Sequence, residues 1–348
     1  MSSTTSNPKS MTSVAAVLQD GICVVSTASV QESRLRVSGY AVHPNDQPDS
    51  LRIRANGVLM EFERYQPHKA QQSALRVDEV HHFEAIGKDI PGGLIEIRAV
   101  FGSRPSAPPV TYYFQPEAHV LPDSSRRVRV HGTEEESSFN LIGCTIAHNI
   151  RALAEQYNDK PLSSIGRVLD WGCGCGRVAR FLFPELQEPV GVDIDVNNIQ
   201  WCRESLPGSF LATSLDPPLP FPENTFDLIF GISVMTHLGE SDQEAWLREL
   251  LRISRSGGLI LLSVHGYRSA FLNGAPPELY DTLDRNGFLD AGRDGALDGH
   301  TSDPGRYRGI YQTPDYIRNR WAKYFLVLDV LPGFLASNQD LVVLRKNS

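Results

Sequence analysis

Apolar and polar residues alternate in several short segments between residues 21 and 122. These segments are GICVVSTASV, SRLRVSGYAV, SLRIRANGVLMEFERY, GGLIEIRAVFG and PVTYYFQP. Clusters of turn-forming residues such as HPNDQPDS and SRPSAPP separate them. A period of two places apolar side chains on one face of a strand. The pattern therefore predicts a β-rich domain over 21–122, arranged as a sandwich of short strands.

Residues 123–160 are expected to form a linker followed by a helix. The stretch PDSSRRVRVHGTEEESSFN, which covers residues 122–140, is polar and charged, as solvated connections usually are. Behind it, apolar residues recur at the three- and four-residue intervals of a helix face. They are Leu141, Ile142, Ile146, Ile150 and Leu153.

Beyond residue 161 the pattern changes to an alternation of strands and helices. Apolar runs such as GRVLDW, PVGVDI, FDLIFGIS and LILLSVHG alternate with amphipathic segments such as NNIQWCRESL and SDQEAWLRELLRIS. This order predicts an α/β domain over 161–348 with a doubly wound, mostly parallel sheet. The chain ends with FLVLDVL, the turn PGFLASN and QDLVVLRK, so we expect the last strand to run antiparallel.

The composition is that of a globular protein, and its 348 residues are enough for two domains. The formal net charge is −8 and the pI is about 5.7, which argues against a nucleic-acid partner. No apolar run approaches the roughly 18–20 residues that a membrane span needs. The Ser/Thr-rich residues 1–20 predict a disordered tail without a signal-peptide core, so we expect a cytoplasmic location.

The stretch RVLDWGCGCGRVAR, residues 167–180, carries the strongest candidate chemistry. Its two cysteines are spaced C-x-C with no second pair, whereas structural zinc sites use C-x₂₋₄-C pairs. The other three cysteines, Cys23, Cys144 and Cys202, show neither ligand spacing nor a disulfide framework. No G-K-[ST] closes the loop as in a P-loop, and G-x-G-x-G differs from the dinucleotide pattern G-x-G-x-x-G. We therefore expect no metal here.

The pattern D-x-G-x-G-x-G after a strand resembles the first motif of the class I S-adenosylmethionine-dependent methyltransferases. Three further segments match the family in the same order: GVDID (191–195), LPFPENTFDLIFGISVMTHL (219–238) and RISRSGGLILLSV. The strand–turn–strand ending also matches. The resemblance covers roughly residues 140–348 and implies a Rossmann-like, seven-stranded sheet, S-adenosylmethionine as cofactor and methyl transfer as the activity.

The resemblance also implies a cofactor-binding site at the glycine loop and the following strand ends. Asp170 would lie near the amino-acid end of the ligand, and Asp193, about 20 residues on, would bind the ribose hydroxyls, with Asp195 as the alternative. The complete predicted set is Asp170, Gly172, Cys173, Gly174, Gly176, Asp193, Ile194, Ser214, Leu215, Ile232 and Ser233.

Two histidines are candidates for a general base. His237 follows the fourth strand of the domain and His265 ends the fifth, and the ends of parallel strands line the ligand crevice. A base is needed only when the acceptor must lose a proton, as a hydroxyl or ammonium does. Either histidine could instead have a purely structural role.

The connection over residues 266–313 is long and rich in Gly and Asp, and it carries four tyrosines. In the resembled family such an insertion often covers the acceptor pocket, so it predicts a lid, although a plain surface excursion has the same composition. Tyr311 and His300 are the candidate substrate contacts in this segment.

The leading hypothesis is a methyltransferase that acts on an oxygen or nitrogen of a small molecule or glycan. An NAD-dependent oxidoreductase is disfavoured by the loop spacing and the antiparallel ending. A catalytically inactive scaffold that binds the cofactor and uses the β-rich domain for interactions remains the alternative. We expect no membrane partner, and a homodimer is possible. The acceptor is left open by the sequence.

Overall fold

The computed structural model describes residues 21–42, 51–69, 79–88, 93–100, 110–116, 120–295 and 305–347. The proposed tail over 1–20 and the candidate His300 lie outside these residues. Within them, none of the helices is long and apolar enough to cross a membrane.

Two antiparallel sheets of four strands form the N-terminal part of the described chain. The strands are β1 (Ile22–Gln31), β2 (Arg34–Val42), β3 (Arg52–Ala55), β4 (Val58–Leu59), β5 (Glu61–Lys69), β6 (Glu79–Gly87), β7 (Ile95–Val100) and β8 (Val110–Phe114). Their orders are β1-β2-β6-β5 and β4-β3-β7-β8. Val25 and Phe83 from the first sheet share one buried core with Ile53 and Ile97 from the second. This confirms the prediction of a β-rich, sandwich-like domain.

The C-terminal part is a doubly wound α/β domain built on a seven-stranded sheet. Its strands are β9 (Arg167–Trp171), β10 (Glu188–Asp193), β11 (Ser209–Ala212), β12 (Phe226–Gly231), β13 (Ser254–Val264), β16 (Leu326–Leu335) and β17 (Gln339–Arg345). The order is β11-β10-β9-β12-β13-β17-β16, with β17 antiparallel to both neighbours. The predicted fold class, including the antiparallel last strand, is confirmed.

The helices pack around this sheet and connect it to the sandwich. They are α1 (Ser124–His131), α2 (Glu136–Asn158), α3 (Ala179–Leu182), α4 (Val196–Ser205), α5 (Glu240–Ile253), α6 (Tyr267–Leu272), α7 (Pro277–Asn286) and α8 (Pro314–Arg320). Short 3₁₀ turns lie at Leu162–Ser164, Phe183–Glu185, Met235–His237 and Trp321–Lys323. One apolar core lies on each face of the sheet, around Phe230 on one side and Ile229 on the other.

Two local features differ from what the sequence suggests. The polar segment 122–140, expected to be a solvated linker, contains α1, which is capped by the Asp123 side chain and buries Arg127. The helix that follows the glycine loop is short: α3 begins at Ala179 and gives way to a 3₁₀ turn that contains Pro184. A proline inside a helix removes an N–H donor and clashes with the preceding turn, so the helix stops there.

The insertion over 266–313 is folded in its described part and packs against the sandwich. It contains α6, α7 and the antiparallel pair β14 (Phe288–Arg293) and β15 (Arg308–Gln312). Phe271 and Tyr311 of this region share an apolar cluster with Ile22 and Val42 of the sandwich. The insertion is therefore held between the two domains by buried apolar contacts.

Candidate functional site

A cavity opens at the carboxyl ends of β9, β10 and β12. Strand β9 lies between the other two, so this is the point where the strand order reverses, the usual ligand position in such sheets. Ten of the eleven predicted cofactor residues line it: Asp170, Gly172, Cys173, Gly174, Asp193, Ile194, Ser214, Leu215, Ile232 and Ser233. The eleventh, Gly176, lies outside the lining.

The Asp193 carboxylate, at the end of β10, is tied to the glycine loop. Its Oδ2 accepts a hydrogen bond from the Gly174 amide at 2.7 Å, and its Oδ1 accepts one from the Asp195 amide at 2.8 Å. Burial raises the pKa of this carboxyl, while the two amides oppose the rise. Each oxygen has room for a second hydrogen bond, so the group can still accept from two ligand hydroxyls.

Asp195, the alternative ribose residue, is used differently. Its side chain caps α4 by accepting hydrogen bonds from the amides of Asn197 and Asn198. It also forms an ion pair with Arg129 of α1 at 2.8 Å. Arg129 and its neighbour Val130 line the cavity, so α1 forms one wall of the site.

The glycine loop is flanked by a buried acid, Asp170, and a half-buried cation, Arg177. Asp170 is 3% exposed, and burial together with the nearby Asp193 charge raises its pKa well above the ordinary value. Arg177 also lines the cavity, and its pKa is lowered by burial. Its guanidinium donates to His131 Nδ1 at 3.0 Å, and the nearby Asp170 charge opposes the lowering of its pKa. An anion entering this end of the cavity would find a cation to pair with.

The loop glycines are required by backbone conformation and by packing. Gly172 and Gly176 have φ values of +75° and +74°, which residues that carry a side chain rarely adopt. A Cβ on Gly172 would lie 2.3 Å from the Val234 side chain, and one on Gly176 would lie 2.3 Å from that of Leu206. Protein side chains therefore occupy the space beside these two glycines, so a side chain at either position would clash within the protein.

The loop cysteines are small buried residues with protonated thiols. Cys173 and Cys175 are 5% and 0% exposed, and burial raises the pKa of both thiols. All five cysteines are free. In the part of the chain that the structure describes, no group of three or more His, Cys, Asp or Glu side chains could hold a metal ion.

His237 lies behind the cavity wall and touches the insertion. Its ring stacks on that of Tyr307, with centroids 3.9 Å apart, and Tyr307 lines the cavity. Its Nδ1 lies 3.1 Å from the Arg308 carbonyl oxygen and 3.4 Å from Asp294 Oδ2. Burial lowers the pKa of His237, and the Asp294 charge opposes that effect.

His265 lies next to His237, with ring centroids 6.1 Å apart. Its Nε2 is 3.4 Å from the side-chain nitrogen of Gln339. Burial, followed by the neighbouring His237, lowers the pKa of His265 to about 4. Both candidate bases are therefore neutral at pH 7, the form in which an imidazole can accept a proton.

The candidate substrate contact Tyr311 is placed elsewhere. It is 8% exposed, and its hydroxyl accepts a hydrogen bond from Asn273 Nδ2 at 3.1 Å. It packs in the cluster between the insertion and the sandwich and does not line the cavity. Tyr307, four residues earlier, is the tyrosine of the insertion that lines the cavity.

Arg306, next to Tyr307, ties the insertion to two elements of the methyltransferase-like domain by ion pairs. Its guanidinium lies 2.7 Å from Asp216, in the loop after β11, and 2.9 Å from Asp242 in α5. These contacts lower the pKa of Asp216 and raise that of Arg306. The sequence analysis did not predict the Arg306 ion pairs, nor that Arg129 and Arg177 line the cavity. Only Arg177 had a local signal, because it directly follows the third loop glycine.

Comparison with known proteins places this site in a known domain family. Residues 168–258 match the methyltransferase domain family. Methyltransferase GfsG of Streptomyces halstedii is 29% identical over 120 residues, which cover 32% of this chain and 42% of GfsG. The ubiquinone/menaquinone biosynthesis C-methyltransferase UbiE of Stenotrophomonas maltophilia is 35% identical over 108 residues, covering 26% of this chain and 39% of UbiE.

Two solved structures also resemble the chain at low sequence identity. The glycopeptide N-methyltransferase MtfA in complex with S-adenosylmethionine is 16% identical, with a TM-score of 0.38 over 56% of this chain and 93% of MtfA. The PH0226 protein of Pyrococcus horikoshii is 17% identical, with a TM-score of 0.42 over 58% of this chain and 90% of that protein. The chain spans about two fifths of the length of the curated relatives named above.

Residues 168–258 of the C-terminal region therefore match a methyltransferase domain, and the sheet that contains them is Rossmann-like. The region is similar to the S-adenosylmethionine-dependent methyltransferases, and the sandwich precedes it in the chain.

Proposed function

We propose that this protein binds S-adenosylmethionine in the cavity at the ends of β9, β10 and β12 and transfers its methyl group to an oxygen or nitrogen of a small molecule or glycan. The observation that carries the proposal is the Asp193 carboxylate, which is fixed to the Gly174 amide at 2.7 Å in this cavity. It is held at the position where a ribose would present its two hydroxyls.

The residues around Asp193 fit the other parts of such a ligand. Ile194 and Leu215 offer apolar surface for the adenine ring. At the far end, the Arg177 guanidinium suits the methionine carboxylate and the buried Asp170 suits its ammonium group. When bound, the cofactor would supply an activated methyl group on a sulfonium. The chain's task is then to align the acceptor, exclude water and accept a proton.

The histidine pair supplies a proton acceptor near the cofactor's methyl end. Ile232 and Ser233 line the cavity just beyond β12, and Gln339 connects Ser233 to His265. His237 is connected to the cavity through the ring of Tyr307. Neutral imidazoles in these positions suit an acceptor that must lose a proton, such as a hydroxyl or an ammonium group.

The proposal also specifies which atom of the acceptor receives the methyl group. The relatives include an ajmaline N-methyltransferase and a ubiquinone/menaquinone biosynthesis C-methyltransferase. The names thus span different acceptor atoms. Oxygen or nitrogen is preferred here because the neutral histidines and Tyr307 give the site hydrogen-bonding partners for a polar acceptor.

The proposal is tested in two stages on the full chain. Calorimetric titration should show binding of S-adenosylmethionine and S-adenosylhomocysteine, and none of NAD. Incubation with methyl-labelled donor and a panel of hydroxyl and amine acceptors, including oligosaccharides, should then transfer label. NAD binding in place of S-adenosylmethionine would refute the proposal. Binding without transfer to any acceptor would favour an inactive cofactor-binding scaffold.

A further inference from the structure

Gln339 connects the cavity wall to His265. It is the first residue of β17, the last strand in the chain, which runs antiparallel between β13 and β16. Its side-chain nitrogen lies 2.9 Å from Ser233 Oγ and 3.4 Å from His265 Nε2, and its Oε1 lies 3.2 Å from Ser233 Oγ. One amide side chain therefore contacts a cavity-lining hydroxyl and a candidate base.

Ser233 is held firmly enough to orient that amide. Its backbone is left-handed, with φ at +60°, a conformation that is strained for a non-glycine residue. Its amide donates a 2.7 Å hydrogen bond to Ser263 Oγ, and Ser263 is fully buried. Backbone strain of this kind persists only where surrounding contacts fix it. Ser233 therefore presents its hydroxyl to Gln339 in one defined position.

The orientation of the Gln339 amide determines where His265 carries its proton. An amide NH₂ group has two hydrogens, one for Ser233 Oγ and one for His265 Nε2. When Gln339 donates to Nε2, that nitrogen cannot carry a proton, so a neutral imidazole then carries its proton on Nδ1.

We propose that Gln339 is a positioning residue that holds His265 with Nε2 unprotonated and facing Gln339, which in turn contacts the cavity-lining Ser233. This inference rests on the proposed function for its role in catalysis. The 3.4 Å contact lies at the long end of hydrogen-bond distances, so an acceptor hydroxyl or ammonium that reaches Nε2 would displace it. In the transfer, the acceptor atom forms a bond to the methyl carbon while the carbon–sulfur bond breaks. The electron pair remains on sulfur, giving S-adenosylhomocysteine, and the acceptor proton moves to Nε2.

The charges around His265 support a neutral ring. His237 is 6.1 Å away and half-buried, the Tyr311 ring is 5.4 Å away, and the charge of the Asp294 carboxylate raises the pKa of His265. Burial outweighs that carboxylate and lowers the pKa of His265 to about 4. Gln339 adds no charge of its own. Replacing it by Glu would place a second carboxylate beside Nε2.

The test is nitrogen NMR of the full chain labelled on its histidine rings, with His265→Gln identifying the His265 signals. In the wild type, Nε2 should show the signal of an unprotonated nitrogen at pH 7. In Gln339→Glu the carboxylate can only accept, so the proton should move to Nε2, and the pKa of His265 should rise by about one unit or more. Gln339→Ala should give a mixture of the two tautomers.

Asn338→Ala, one residue earlier, is the matched control and should leave both His265 signals unchanged. Calorimetry with S-adenosylmethionine on the same samples shows whether each variant keeps its fold. A protonated Nε2 in the wild type would overturn the inference. So would unchanged His265 signals in both Gln339 variants. Failure of the wild type to bind S-adenosylmethionine would instead count against the proposed function and leave the tautomer result standing.

Discussion

Arg129 and Asp195 form an ion pair of 2.8 Å whose two side chains are only 13% and 8% exposed. Arg129 belongs to α1, between the sandwich and the methyltransferase domain, whereas Asp195 caps α4 inside that domain. The pair therefore fixes α1 against the cofactor cavity. Since two charges lose their hydration when they are buried, they stabilise the fold only while both are present.

Removing Arg129 should consequently destabilise the protein. Arg129→Ala leaves the Asp195 carboxylate nearly buried without its cation, and we expect the free energy of unfolding to fall by about 2–3 kcal/mol. Urea denaturation in the absence of cofactor measures this. The control is Arg248→Ala, which breaks the exposed Arg248–Glu244 pair and should cost no more than about 0.5 kcal/mol. Equal losses in the two variants would show that burial of the Arg129 pair contributes nothing.

Asp193 should be the main determinant of cofactor affinity. Asp193→Ala removes the acceptors for the proposed ribose hydroxyls and for the Gly174 amide, which lies 2.7 Å away. We expect binding of S-adenosylmethionine to weaken by about 1–3 kcal/mol, the cost of leaving such groups unpaired. Calorimetric titration measures the change. Asp227→Ala, at an acid of β12 that pairs with Arg255 away from the cavity, serves as control. An unchanged affinity in Asp193→Ala would remove Asp193 from the site.

The ion pairs of Arg306 should slow the release of the cofactor. Arg306→Ala breaks the contacts to Asp216 and Asp242 that hold the insertion against the loop after β11 and against α5. Both contacts are partly exposed and together are expected to contribute about 1 kcal/mol, so release of S-adenosylhomocysteine should be roughly fivefold faster. Trp171 and Trp246 line the cavity and provide a fluorescence signal for stopped-flow measurement.

Arg318→Ala is the control for Arg306→Ala, because Arg318 faces Asp329 at 3.9 Å in another part of the domain. It should leave the release rate unchanged. If Arg306→Ala also leaves the rate unchanged, the insertion does not restrict the cofactor.

The elements that the sequence predicts well are those whose signal is local. The strand before the glycine loop, the acid that ends β10 and the antiparallel ending each follow from a short run of residues. Asp193 could be singled out because the end of the second parallel strand always lies beside the first in such a sheet. Its position in the cavity lining agrees with that reasoning.

The parts that the sequence does not predict depend on distant contacts. The α1 segment is short and polar, so its helical state rests on the Asp123 cap and on packing against residues far along the chain. Tyr307 and Tyr311 are equally plausible from composition, since both lie in the insertion. Only the pairing of β14 with β15 decides that Tyr311 packs in the apolar cluster and Tyr307 lines the cavity.

His131 should make the stability of the protein depend on pH. Burial, followed by the nearby Arg177 cation, lowers its pKa in the folded state to about 3, compared with an ordinary value of about 6.5. Below pH 6.5, His131 therefore binds a proton in the unfolded chain but stays neutral in the folded chain. Stability is full above pH 6.5 and is lost as the pH falls towards 3. At pH 5 the loss from this residue is about 2 kcal/mol.

His131→Gln isolates this contribution from those of other groups, such as Asp340, whose pKa burial raises to about 7. Urea denaturation of wild type and variant at pH 7 and pH 5 gives the comparison. The wild type should lose about 2 kcal/mol more than His131→Gln between these two pH values. The same loss in both proteins would mean that His131 accepts its proton freely in the folded state.

The glycine loop should tolerate a methyl group far less well than a glycine of the same conformation elsewhere. Gly176 and Gly257 have nearly equal φ values of +74° and +73°, but a Cβ on Gly176 would lie 2.3 Å from the Leu206 side chain, whereas one on Gly257 would have no neighbour within 4 Å. Gly257→Ala should therefore cost only the backbone strain, about 1–2 kcal/mol. Gly176→Ala should cost about 1–3 kcal/mol more because Leu206 must move within a packed core. Urea denaturation of the two variants measures both costs. Equal values would show that Leu206 yields freely and that the glycine is needed for its backbone alone.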